Sequence, residues 1–231
     1  DMLDYSGYSS GVVVDLLHGQ AEGVSGSVLR MENVSGGSGD DRLSGDASAN
    51  VLIGGAGDDM LAGGDGDDTY VYASGWGVDV VVEYAMAGYD TLDFSAITGN
   101  LRFDMAMVLT VTEMSNQVTH SGDALESLLA GWGDDVFALT GSHAENLYGA
   151  GGADSFIFGD GAMLTGRIDG GSGLDVLDLS AYASAREVWL ASLGVPAIYR
   201  SQASLAPGIK VRMGTKSLPH AGIGVSSYAW S

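Results

Sequence analysis

Residues 36–71 read GGSGDDRLS, GDASANVLI, GGAGDDMLA and GGDGDDTYV, which are four consecutive segments of nine residues. The first, third and fourth segments share the pattern G-G-x-G-x-D-x-U-x, in which U is a large apolar residue. The second segment is degenerate, because Asn50 stands where the others have aspartate. An internal repeat of such short period predicts a solenoid, in which each repeat is one structural unit stacked on the next.

The nine-residue pattern divides into a turn and a strand. Glycine in the first half permits positive φ values and close stacking of neighbouring coils. In the second half, U has the position of the one inward-facing side chain of a short strand. Two segments complete a coil of 18 residues, so the spacing places Asp41 beside Asp59 and Asn50 beside Asp68.

Looser copies of the pattern continue further along the chain. They lie at 74–82, 85–93, 130–138, 149–157 and 170–178, and they keep glycine, aspartate and an apolar residue in the same order. The aspartates in the sixth position of these copies are Asp79, Asp90, Asp135, Asp154 and Asp175.

A longer period is superimposed on the short one. The phrase LDYS (3–6) recurs as LDFS (92–95) and LDLS (177–180), at offsets of 89 and then 85 residues. This alignment places Asp1 in the sixth position of a nonapeptide. We therefore expect the chain to be part of a longer array.

The charge of the chain indicates which partners it binds. It has 30 acidic and 9 basic residues, a formal net charge of −21, whereas nucleic-acid binding needs clustered lysine and arginine. Bound cations would relieve the repulsion between so many carboxylates, whose oxygens favour calcium over zinc.

No cysteine is present, which excludes disulfides and thiolate metal sites. No apolar run is long enough to predict a membrane span.

The strict segments resemble the calcium-binding nonapeptide repeat of the RTX (repeats-in-toxin) family. The resemblance covers most of 36–93 and 130–182, and it implies an all-β fold, a right-handed parallel β-roll or β-solenoid. In this family, aspartates of two stacked turns bind calcium together with turn carbonyls. Carried over, Asp41 with Asp59 makes one site and Asn50 with Asp68 a weaker one. The metal-site residues predicted in this way are Gly37, Gly39, Asp41, Asn50, Gly55, Gly57, Asp59, Gly64, Gly66, Asp68, Asp79, Asp90, Asp135, Asp154 and Asp175.

The repeats divide the chain into five segments. We expect a partial solenoid coil with bridging strands at 1–35, a calcium β-roll block at 36–93, bridging strands at 94–129 and a second, looser calcium block at 130–185. Both bridges are interpreted as coils of the same solenoid, because Glu32 and Glu126 lie nine residues before Asp41 and Asp135. Residues 186–231 contain all three prolines and a single acidic residue. They form a divergent tail, which is either a cap or a frame-shifted segment.

Calcium is expected to control folding. Ordering one residue costs about 1–2 kcal/mol of backbone entropy, whereas one leucine buried in every nine residues returns only about 1.5–3 kcal/mol. Stacked carboxylates oppose folding further. Because calcium binds the folded form, its binding energy becomes folding energy.

Several residues have two interpretations. The fifth-position aspartates Asp40, Asp58 and Asp67 are interpreted as surface charges in preference to ligands. Trp76 and Trp132 are expected to pack over a coil edge rather than to form exposed platforms for sugar or ice.

Two functions fit the resemblance, and neither makes the chain an enzyme. The stretch GYSSG (7–11) matches a nucleophile motif, but no helix is predicted after its serine and the other LDxS copies lack it. The first function is a calcium-binding structural segment of a secreted or surface-exposed bacterial repeat protein, adhesin-like, that folds on calcium after export. The second is the calcium and secretion domain of a larger secreted toxin, protease or lipase. The expected partners are calcium, the type I secretion machinery and a cell-surface or glycan ligand, with no nucleic acid and no membrane insertion.

Overall fold

A computed structural model describes residues 1–84, 87–122 and 124–182, together with the backbone of three later strands at 187–190, 198–200 and 210–213. Every regular element in this part of the chain is a β-strand. Most strand pairs are parallel, which confirms the predicted all-β fold of parallel β-roll type.

Two large sheets are built from strands that alternate along the repeats. The eight-stranded sheet contains, in spatial order, β1 (Met2–Asp4), β4 (Asn33–Ser35), β6 (Val51–Ile53), β8 (Thr69–Val71), β10 (Thr91–Asp93), β14 (Ser127–Leu129), β17 (Asn146–Tyr148) and β20 (Ile168–Asp169). The twelve-stranded sheet contains, in spatial order, β23 (Ile198–Arg200), β21 (Val176–Asp178), β18 (Ser155–Phe158), β15 (Val136–Leu139), β11 (Arg102–Met105), β12 (Val108–Glu113), β13 (Asn116–Ser121), β9 (Val78–Val82), β7 (Met60–Ala62), β5 (Arg42–Ser44), β2 (Val13–Asp15) and β3 (Gln20–Ala21). Two further pairs join β16 (Ser142–His143) to β19 (Met163–Leu164), and β22 (Glu187–Leu190) to β24 (Lys210–Met213).

The position U of each repeat forms the core. In the eight-stranded sheet, Leu52 pairs in register with Tyr70, and Tyr70 pairs with Leu92. All three side chains are fully buried, because successive residues of a strand point to opposite faces and the middle one points inward. Buried residues from both sheets form a single cluster. The three-residue strands are therefore held by the ladder of inward residues and by parallel hydrogen bonding.

The bridge at 94–129 differs from the simple coil that its register predicted. Strand β12 runs antiparallel to both β11 and β13, so the twelve-stranded sheet contains a three-stranded meander. One face of β12 packs on the core, because Leu109 and Val111 are buried while their neighbours are more exposed. The meander separates β9, which contains Asp79, from β15, which follows Asp135.

The LDxS phrase forms the same turn each time it occurs. Oδ1 of Asp4, Asp93 and Asp178 accepts a hydrogen bond from the serine amide two residues later, at 2.8 Å in each copy. This Asx turn ends β1, β10 and β21. The residue between aspartate and serine is buried in all three copies, as Tyr5, Phe94 and Leu179.

The tail at 186–231 falls largely outside the described residues, and so does the choice between a cap and a frame-shifted segment. Within it, β23 pairs in parallel with β21, and β22 pairs in parallel with β24.

Candidate metal centre

The sixth-position residues form three columns, each of which runs along the beginnings of neighbouring strands in one sheet. In the twelve-stranded sheet, the residues of the first column (Asp41, Asp59 and Asp79) and of the third column (Asp135, Asp154 and Asp175) lie directly before a strand, except that Asp79 is the second residue of β9. The second column (Asn50, Asp68 and Asp90) precedes strands of the eight-stranded sheet. All nine side chains except that of Asp175 are buried.

Backbone amides connect the members of each column. The amide of Asp41 donates to Oδ1 of Asp59 at 2.7 Å, and the amide of Asp59 donates to Oδ1 of Asp79 at 2.9 Å. The structure therefore brings together the predicted pair Asp41 and Asp59. The same contact links Asn50 to Asp68 at 2.7 Å, Asp68 to Asp90 at 2.8 Å, Asp135 to Asp154 at 2.8 Å and Asp154 to Asp175 at 3.1 Å.

The second carboxylate oxygen is left without a partner in most of these residues. A buried polar atom without a hydrogen bond costs folding free energy, so it indicates a missing ligand. Oxygen atoms that are orphaned in this way are Oδ2 of Asp59, Asp68, Asp79, Asp90 and Asp154. A calcium ion, which prefers six or more oxygen ligands, is the partner that such oxygens fit.

Burial also changes the acid strength of these carboxyls. Desolvation raises the pKa of Asp79 to about 8 and the pKa of Asp59 and Asp154 to about 7. The neighbouring carboxylates of each column raise these pKa values further, whereas the amide hydrogen bonds lower them. Since a metal ligand must be deprotonated, a cation that binds here displaces protons.

The first carboxylate of the first and third columns is satisfied by the backbone alone. Oδ1 of Asp41 accepts the amide of Val12 at 2.8 Å, and its Oδ2 accepts the amide of Gly37 at 2.7 Å. Asp135 has the same pair of contacts, with the amides of Leu101 at 2.6 Å and Gly131 at 3.2 Å. Both Val12 and Leu101 end a turn that begins with an LDxS phrase, so these turns start the columns.

The predicted site glycines are needed for two different reasons. In the third and fourth segments they have positive φ values of 105° at Gly55, 119° at Gly57, 110° at Gly64 and 103° at Gly66. In the first segment the reason is close approach, because a Cβ on Gly37 would collide with the Tyr8 carbonyl and one on Gly39 with the backbone of Ser10.

The side-chain hydrogen bonds of Asn50 differ from those of the aspartates. Its Oδ1 accepts the amide of Asp46 at 2.8 Å, and its Nδ2 donates to the carbonyl oxygen of Glu32 at 2.7 Å. The Nδ2 atom, which takes the place of the second carboxylate oxygen of an aspartate, is therefore a hydrogen-bond donor and cannot bind a cation. This arrangement supports the expectation that Asn50 contributes less to cation binding than Asp59.

The fifth-position aspartates are exposed, and they form a surface ladder of their own. Oδ1 of Asp40 accepts the amide of Asp58 at 3.0 Å, and Oδ1 of Asp58 accepts the amide of Val78 at 3.1 Å. Trp76 is buried, whereas Trp132 is 69% exposed. The Trp132 ring nevertheless lies against Gly151 of the next coil, so it covers a coil edge while most of its surface stays in contact with solvent.

Several acidic residues that were not predicted as site residues lie in or beside these columns. The second column continues through Glu126, whose Oε2 accepts the amide of Asp90 at 2.7 Å, and the Glu126 carbonyl accepts the amide of Asn146, next to Glu145. The sequence spacing that showed Glu126 to be in register also applies to Glu145, because these glutamates lie nine residues before Asp135 and Asp154. Buried Glu83 and Glu113 follow no such spacing.

Comparison with known proteins agrees with this geometry. Residues 35–70 match the family described as the RTX calcium-binding nonapeptide repeat, in four copies. Repeats of this family bind calcium ions, and the orphaned oxygens provide a suitable donor set. No curated protein matches the chain. Among the described residues, no helix is both long and apolar enough to cross a membrane.

Proposed function

We propose that this chain, whose residues 35–70 are RTX calcium-binding nonapeptide repeats, is a calcium-dependent structural segment of a secreted or surface-exposed bacterial protein of the adhesin type. It leaves the cell through type I secretion, and calcium outside the cell folds and stiffens it into a spacer. The observation that carries this proposal is the alignment of buried, orphaned carboxylate oxygens along the columns.

The recurring LDxS turn supports a spacer over a compact secretion domain. The same Asx turn with the same 2.8 Å hydrogen bond occurs after β1, β10 and β21. Repeated units of this kind lengthen a solenoid, because each one stacks on its neighbour and needs no other contacts.

We propose no catalytic role for the chain. In the GYSSG stretch at 7–11, Ser9 is exposed and lies between two strands, β1 and β2. A nucleophile elbow requires a strand followed by a helix. The described acidic cluster, formed by Asp68, Glu83 and Asp90, is buried among the stacked turns and suits an ion better than a substrate.

The coding sequence on both sides of this segment tests the proposal. We expect further copies of the LDxS unit and its nonapeptide repeats, since a spacer is built by repetition. A protease, lipase or toxin module joined directly to this segment would contradict the spacer role and favour a secretion domain.

A further inference from the structure

Glu83 departs from the repeat directly after β9 of the twelve-stranded sheet. It follows Val82, which is in register with Ala62 and Ser44, so Glu83 occupies the position that Gly63 and Gly45 occupy in the neighbouring coils. At Gly63 a Cβ would collide with the carboxylate of Asp68. The segment from Glu83 to Asp90 is two residues longer than that from Gly63 to Asp68, so Glu83 stands in a turn of different length.

The side chain of Glu83 is directed inward by two donors. The hydroxyl of the fully buried Tyr70 donates to Oε1, and the amide of Gly63 also donates to Oε1 at 3.2 Å. Glu83 itself is only 6% exposed. These contacts hold a third carboxylate beside the second column.

The two aspartates next to Glu83 have oxygen atoms free for a ligand. Oδ1 of Asp90 accepts the amide of Asp68, whereas Oδ2 of both Asp68 and Asp90 is buried without a partner. One oxygen from each of Asp68, Glu83 and Asp90 lies within 4.8 Å of the others. The ion pairs among the described residues involve other carboxylates.

We propose that Asp68, Glu83 and Asp90 together bind one hard divalent cation, with Glu83 as a side-chain ligand that the nonapeptide repeat does not supply. The inference rests on the proposed calcium-binding function and adds to it the identity of one ligand. Affinity of oxygen sites rises with the number of charged ligands and with their rigidity. The three carboxylates are held by Tyr70, Gly63 and neighbouring amides. We therefore expect this site to bind calcium with higher affinity than the site predicted for Asn50 with Asp68.

Calorimetric calcium titration of the whole chain and of Glu83→Gln tests the proposal. We expect the variant to bind one calcium ion fewer, or to bind that ion at least tenfold more weakly, while the other sites keep their affinity. The matched control is Glu22→Gln, which changes an exposed glutamate that belongs to no column and should leave the titration unchanged. If wild type and Glu83→Gln bind the same number of ions with the same affinities, the inference is wrong although the calcium function stands. If wild type binds no calcium, the proposed function itself fails.

Crystals of the wild-type chain soaked in terbium give a second measurement that does not depend on a variant folding. We expect an anomalous peak in contact with oxygens of all three residues, Asp68, Glu83 and Asp90. A peak at the turn that lies out of reach of Glu83, or no peak there while other turns bind terbium, would overturn the assignment.

Discussion

In five buried aspartates of the columns, namely Asp59, Asp68, Asp79, Asp90 and Asp154, only one of the two side-chain oxygens has a hydrogen-bond partner. Oδ1 accepts an amide of the neighbouring coil, as in the 2.7 Å contact from Asp41 to Asp59. Oδ2 of Asp59 is buried without a hydrogen bond. One oxygen therefore fixes the register of the coils, and the other is left for a cation.

Asp59→Ala should remove more calcium than Asn50→Ala. Asp59 offers an orphaned oxygen, whereas Asn50 already donates from Nδ2 to the Glu32 carbonyl. We expect calorimetry to show at least one ion lost in Asp59→Ala and an unchanged number of ions in Asn50→Ala. Asp58→Ala, at the exposed neighbouring position, is the control. Equal losses in the first two variants would contradict the pairing.

The stability of the calcium-free chain should fall as the pH rises. Burial raises the pKa of Asp79 to about 8 and the pKa of Asp59 to about 7, above the usual value of about 3.9 in an unfolded chain. The folded state therefore binds more protons, and its stability is lost as the pH rises from about 4 towards 8.

Circular dichroism of the chain after calcium removal by dialysis measures this effect. We expect a larger β-sheet signal at pH 5 than at pH 8, and a weaker pH dependence in Asp79→Asn. Asp104→Asn, which changes a carboxylate that is paired with Arg102 outside the columns, should keep the wild-type dependence. A β-sheet signal that grows as the pH rises would show that these carboxyls do not control the calcium-free fold.

At the scale of elements, apolar packing stabilises the turn that follows the LDxS phrase, whereas the turns of the nonapeptide repeats carry the carboxylates. Phe94 is fully buried, and its ring stacks on Tyr72 with centroids 4.6 Å apart and lies edge-on to Phe103 at 5.7 Å. The turn from Phe94 ends at Leu101, whose amide holds the carboxylate of Asp135. An apolar turn thus begins the next column.

Phe94→Ala should destabilise the chain without changing its calcium stoichiometry. Loss of a fully buried phenylalanine typically costs about 3–5 kcal/mol, while Phe94 provides no oxygen to a column. Urea unfolding at saturating calcium measures the change, and calorimetry counts the ions. Trp132→Ala, in which the side chain is 69% exposed, should change the unfolding free energy by less than about 1 kcal/mol. A lost ion in Phe94→Ala would contradict this division of roles.

The strict repeat predicted the elements that follow a fixed period. Leu43, Leu52 and Leu61 are inward residues of three short strands, as the eighth position of each segment indicated. The antiparallel β12 was not predicted, because alternation of apolar residues indicates a strand but not its direction. Glu83 was missed because its contacts come from Tyr70 and Gly63, which are 13 and 20 residues away.

At the scale of the whole molecule, the meander of β11, β12 and β13 separates two column systems in the twelve-stranded sheet. Asp41, Asp59 and Asp79 lie on one side of it, and Asp135, Asp154 and Asp175 lie on the other. The second column runs past the meander along the other sheet, through Asp90 to Glu126. Columns of carboxylates therefore connect the short strands of the repeats. We expect the mutual repulsion of these carboxylates to oppose folding until cations bind.

Far-UV circular dichroism of the whole chain at neutral pH, first with excess chelator and then with millimolar calcium, tests this account most directly. We predict that the chain is largely disordered with chelator and gains its β-sheet signal when calcium is added, because the ions bind only the folded columns. The same β-sheet signal in excess chelator and in calcium would contradict the account.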